Sequence, residues 1–266
     1  MTPTQVGMRC PECASQRTKV VRMRDASRIP QITYALIVIN VIAFLVEGNL
    51  SISGQPTSKV YEEGALIGSI RGLPGVGVAH GQWWRIVTSG FLHENLLHIG
   101  FNMYVLYILG MQLEPVLGRF KFGLIYGVSL LTGSLGALLV SPHAVTVGAS
   151  GAVFGIMGAF AVELRSRKLP IMAGGLGGVG GLILINLVIS FTIPGISWGG
   201  HVGGLIGGAL AAAMIQLGER YRAQAFALAA CAVIAVAAAA GSIAAAKSSE
   251  AETSIGAGPA LFSPEP

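Results

Sequence analysis

Charge is what this sequence has least of. Only 11% of its 266 residues are Asp, Glu, Lys or Arg, against about 25% in soluble domains, which argues against an ordinary cytosolic enzyme. Aspartate occurs once, as Asp25, so an intramembrane aspartic protease, which needs two aspartates in its spans, is excluded. The three cysteines, Cys10, Cys13 and Cys231, are too few for a disulfide framework. Cys10-Pro-Glu-Cys13 reads as half a zinc ribbon. Structural zinc takes four ligands and Cys231 lies in an apolar run, so the pair reads as the remnant of a longer N-terminal domain. No metal or cofactor is expected. His93-Glu94-x3-His98 is not H-E-x-x-H, because its histidines are five apart. The net charge of +5 sits in short loops rather than on a continuous face, which excludes a nucleic-acid partner.

What is present is apolar. Hydrophobic residues make up 53% of the chain, too many for disorder over most of its length. A membrane span needs roughly 20 apolar residues. Seven segments qualify, near 32–47, 91–113, 121–140, 148–164, 171–193, 198–217 and 224–246. Of the 17 Lys and Arg, 13 lie before span one or after spans two, four and six. The positive-inside rule then places the N-terminus in the cytoplasm and the C-terminus outside. The expected class is all-α, a polytopic helix bundle in the cell membrane. Residues 1–30 form a basic arm carrying the Cys pair, 31–217 a six-span core, 218–246 a seventh span and 247–266 a disordered extracytoplasmic tail. Span one begins near residue 32 with no A-x-A-like site after it, so it is not read as a cleavable signal.

Polar groups inside spans are costly and mark function by default. Spans two, four and six run the same way, so their first turns share one depth. They carry His98 and Asn102, then Gly148-Ala149-Ser150-Gly151, then His201. His98 and Asn102 are i,i+4 and share a helix face, whereas His93, five residues before His98, is expected to point elsewhere. Gly151 and Gly155 form one small-residue face. Gly200, Gly204 and Gly208 form another, beside Gly199, Gly203 and Gly207. Such faces let helices touch. If spans four and six meet on them, Ser150 and His201 come together as nucleophile and general base. The free N–H groups at the start of span four, with Asn102 and His98, could hold an oxyanion. Span four, at about 25 Å, is shorter than the ~30 Å hydrocarbon core, so Ser150 would lie below the surface in a cavity open to water. Glu114 is expected to meet Arg119 or backbone donors at the inner end of span two.

These residues carry a resemblance. Gly81-Gln82-Trp83-Trp84-Arg85, His93-x4-His98-x3-Asn102, Glu114, Gly148-Ala149-Ser150-Gly151 and His201-x2-Gly204-x3-Gly208 stand in the order and spacing of the rhomboid family of intramembrane serine proteases, over residues 30–217. The resemblance implies Ser150 as nucleophile and His201 as base. It implies an oxyanion hole of His98, Asn102 and the N–H groups of Ser150 and Ala149 within the Gly148–Gly151 motif, and Phe154 packed beside the base. Trp84 and Arg85 would belong to a membrane-interface loop, and span five with Pro194–Ser197 to a gate and cap. Substrates would be single-span membrane proteins cut near the outer end of their spans, through an acyl-enzyme. The rival reading is a catalytically silent relative that only binds such clients; relatives of that kind lack the serine or the histidine, and this chain has both.

Overall fold

The computed structural model describes residues 2–4, 7–9, 29–48, 50–52, 58–70, 73, 75–172 and 178–256. Cys10 and Cys13, glycines 174, 175 and 177, and residues 257–266 lie outside the described residues. Strands β1 (Thr2–Thr4) and β2 (Gly7–Arg9) pair as a small antiparallel ribbon, an exception to the all-α expectation. The body of the molecule is helical. Among the described residues seven major helices follow: α1 (Gln31–Glu47), α2 (Leu96–Leu117), α3 (Arg119–Val140), α4 (Ser150–Ser166), α5 (Val179–Thr192), α6 (Trp198–Arg220) and α7 (Gln224–Gly256). By length and composition α2, α3, α6 and α7 can each cross a bilayer, while α1 and α5 are shorter apolar helices.

The boundaries differ from expectation for local reasons. Helix α2 starts at Leu96 rather than 91 because Asn95 caps it, its side chain accepting the His98 N–H at 2.9 Å. Helix α5 starts at Val179 rather than 171, with Gly178 at its N-cap. Helix α7 runs on to Gly256, ten residues into the segment expected to be disordered, through Ala, Ser, Glu and Lys that favour or tolerate helix. Its 33 residues span about 50 Å, well beyond a hydrocarbon core. Near its end Glu250 meets His80 of the α1–α2 loop at 2.8 Å.

Helix α6 is the centre of the bundle, packed between α3 and α4, with α7 laid against α3 and α6. Both glycine faces of α6 are used. Gly200, Gly204 and Gly208 meet Gly151 and Gly155 of α4, and Gly199, Gly203 and Gly207 meet Gly136 and Thr132 of α3. The core between α1, α2, α3, α4 and α6 is filled by Phe44, Leu106, Leu109, Leu113, Phe122, Ile125, Ile156 and Met157. Outward-facing Val38, Phe101, Tyr104, Leu139, Phe191 and Val233 are exposed, as a surface solvated by lipid requires.

Two buried polar residues fix the periphery. Arg85, 2% exposed, donates to the carbonyls of Glu62 and Ala65 at 2.8 and 2.7 Å and to Gln82 Oε1 at 2.7 Å, binding the α1–α2 loop to itself. Trp84 Nε1 donates to the Glu63 carbonyl at 3.0 Å. Glu114 takes the second of its two expected roles. Pro30, at the start of α1, has no capping side chain, and Glu114 accepts instead from Ile32 N at 2.9 Å and from Thr33 N and Oγ1 at 2.7 Å. A carboxylate there answers both the unpaired N–H groups and the positive end of the helix dipole. Glu114→Gln, which keeps the shape but turns an amide toward donors, is expected to cost about 1–3 kcal/mol, read as a lowered thermal midpoint in detergent.

Candidate active site

The chain reverses sharply before α4. Gly148 has φ +121°, and a Cβ there would lie 2.7 Å from His98 Nε2. Glycine is therefore required both by the backbone and by the ring packed on it. The turn delivers Ser150 as the first residue of α4, with Ala149 preceding it and making no side-chain cap. The first intrahelical bond is Val153 N–H to the Ala149 carbonyl at 3.0 Å. The N–H groups of Ser150, Gly151 and Ala152 thus precede any i−4 acceptor of the helix, and the positive end of its dipole lies at the serine.

His201 enters from the first turn of α6, where Ser197 accepts the Gly200 N–H at 3.3 Å as cap. Its Nε2 is 2.7 Å from Ser150 Oγ. Phe154, one turn beyond Ser150 on α4, stacks on the imidazole at 4.2 Å between centroids and 14° between planes. The imidazole is thus pinned on one face and bonded at one edge. A cavity of about 30 Å³ adjoins the pair, walled by Gly148, Ser197, Gly133 and Leu130 among others. Its space suits one or two waters.

The remaining predicted residues sit against the turn that carries Ser150 or against one another. His98 lies against Gly148. Asn102, one turn further along α2, is buried and donates one amide hydrogen to the His98 carbonyl at 3.0 Å, which leaves its second hydrogen uncommitted to that bond. Neither forms part of the cavity wall. Ala149 is fully buried, and its N–H is turned to His93 Nε2 at 3.5 Å rather than left open. That contact corrects the expectation for His93. Because residues 91–95 precede α2, helical spacing does not govern them. His93 is fully buried, edge-on to His98 at 5.1 Å between centroids, and its own N–H reaches the Glu47 carboxylate at 3.2 Å.

One residue escaped the sequence reading. Ser190, on α5 and 2% exposed, places Oγ 2.6 Å from His201 Nδ1. Span five was read for its glycines. The rule that polar groups in apolar spans carry function, applied to Asn186 and Ser190, would have singled them out.

The family model for the rhomboid domain matches residues 80–219, just over half of the chain and the whole of this site. The chain belongs to the rhomboid family. Rhomboid protease GluP of Bacillus subtilis (strain 168) is 36% identical over 191 residues, which is 71% of this chain and 35% of GluP. YdcA of the same organism is 34% identical over 136 residues, 51% of this chain and 68% of YdcA. Rhomboid-like protease 3 of Toxoplasma gondii is 41% identical over 83 residues, 31% of this chain and 32% of that one. The chain thus spans about a third of GluP and two thirds of YdcA. Family membership and the apolar helices together make it a multi-pass membrane protein.

Proposed function

We propose that this rhomboid is an intramembrane serine endopeptidase in which Ser150 attacks the scissile carbonyl and His201 takes its proton. The observation that carries the reading is the 2.7 Å contact between Ser150 Oγ and His201 Nε2 at the N-terminus of a helix. Attack forms a bond from Oγ to the carbonyl carbon and moves the Oγ proton to Nε2. The developing oxyanion is held by the N–H of Ser150 with Asn102 and His98, and its charge is favoured by the α4 dipole. Collapse of the tetrahedral intermediate breaks the C–N bond, and His201 returns the proton to the leaving amine. A water activated by the same imidazole then hydrolyses the acyl-enzyme. The cavity beside the pair is where such a water fits.

The seven helices act as a six-span core with α7 added, the N-terminus in the cytoplasm and the C-terminus outside. This orientation follows from the 13 Lys and Arg on one side. Ser150 then faces the outer half of the bilayer, and the substrate is a membrane protein cut near the outer end of its span.

Purified protein in liposomes with a single-span reporter tests the proposal, together with labelling by a fluorophosphonate probe. The expected result is a discrete product band and probe attachment at Ser150. Intact reporter with an unlabelled Ser150 would overturn it in favour of a client-binding member of the family.

A further inference from the structure

The geometry points to Ser190 as the positioning residue for His201, the group that holds the proton of the neutral imidazole on Nδ1. The inference deepens the protease reading and rests on it.

A base that takes a proton at Nε2 must present a lone pair there, so in the neutral ring the hydrogen must sit on Nδ1. Something has to select that tautomer. In other serine hydrolases a buried acid does so, but among the described residues no carboxylate lies at hydrogen-bonding distance from His201. Its Nδ1 faces Ser190 Oγ at 2.6 Å.

A serine hydroxyl could serve either tautomer, since it can donate or accept. Here a second contact decides between them. Ser190 Oγ is also 2.5 Å from the carbonyl oxygen of Asn186, one turn back on α5. Two oxygens at that separation need a proton between them, and the carbonyl has none to give. The Ser190 hydrogen is therefore committed to Asn186. Toward His201 the same oxygen can only accept, so Nδ1 must donate. The relay reads Ser150 Oγ–H to His201 Nε2, His201 Nδ1–H to Ser190 Oγ, and Ser190 Oγ–H to the Asn186 carbonyl. Every proton has one place, and each contact is between 2.5 and 2.7 Å. Burial of Ser190 removes bulk water as a competitor for Nδ1.

The chemistry follows from the relay. In the other tautomer Nε2–H would point at Ser150 Oγ and no base would be available. When Ser150 attacks and His201 becomes imidazolium, the Nδ1–H bond to Ser190 strengthens because its donor is now charged. Ser190 thus acts through His201, with no contact to substrate required.

Ser190→Ala removes the acceptor, while Ser190→Thr retains an oxygen at the same branch point. The protein with ¹⁵N-labelled histidine is examined by NMR in detergent, alongside kcat and KM on the reporter and the thermal midpoint. Wild type and S190T are expected to show His201 Nδ1 protonated in the neutral ring. S190A is expected to show a tautomer mixture, a fall in kcat of about 10-fold, unchanged KM and a thermal midpoint lowered by a few degrees at most. S190T should recover most of kcat. An unprotonated Nδ1 in wild type, or an S190A variant whose tautomer stays as in wild type, overturns the inference. A Ser190-dependent Nδ1 proton in a wild-type protein that cleaves nothing would leave the positioning role standing and remove the protease reading instead.

Discussion

Replacing Ser150 by alanine should leave less than about one part in 10⁴ of the wild-type turnover, and His201→Ala should do the same. In the proposed mechanism the two act as one device: Oγ is a weak nucleophile unless Nε2, 2.7 Å away, accepts its proton. The double variant should therefore be no slower than either single one. Additive losses would mean that the serine and the histidine work independently, and would exclude the proton transfer between them. Asn102→Ala is a graded companion. Removing one oxyanion donor costs about 10²–10³-fold in serine hydrolases, so on the proposed mechanism this variant should be slow but measurable. Ser150→Ala should keep the wild-type thermal midpoint within a few degrees, because it removes a single oxygen, whereas His201→Ala also removes the ring on which Phe154 stacks and should lower it.

The second large effect comes from a residue that does no chemistry. Gly204→Val should abolish cleavage and lower stability by about 1–3 kcal/mol or more. A Cβ on Gly204 overlaps the Gly151 carbonyl oxygen and reaches the Gly151 Cα at 3.1 Å, and both are helix backbone that cannot rotate away. The axes of α4 and α6 must then separate. Ser150 and His201 ride on these two helices, one residue before Gly151 and one turn before Gly204, so their hydrogen bond is lost with the contact. Fluorophosphonate labelling should fall by at least about 10²-fold, together with the thermal midpoint. Gly100→Ala on α2 serves as control: nothing lies within 4 Å of its added Cβ, and both readouts should be unchanged. Labelling that survives in Gly204→Val would show that the glycine contact does not position the pair.

Much of this was legible in the residues. Segments of low charge near the length of a span marked all seven major helices, and polar groups inside them marked Ser150, His201, His98 and Asn102. Small-residue spacing on α4 and α6 marked the faces that meet. Each of these signals is one-dimensional: hydropathy and periodicity report which side of a helix can face lipid or another backbone. Where a residue left the helix the signal failed. Helical spacing points His93 away from His98, but the Asn95 cap begins α2 two residues later, and the loop turns His93 inward against His98.

The sequence by itself determined the helical class of the protein and the order of its helices, and it named Ser150 and His201 as the candidate pair, because composition and spacing are sufficient causes of the first two and polar groups in apolar runs single out the third. Tertiary structure alone decided which of two glycine faces on α6 meets α4, where the Glu114 carboxylate is used, and which way the His201 proton lies. Those outcomes depend on distances between segments far apart in the chain. The approach of α5 that brings Ser190 to 2.6 Å from Nδ1 is set by packing against α4 and α6. No periodicity within α5 encodes it, because the partner it answers to is on another helix.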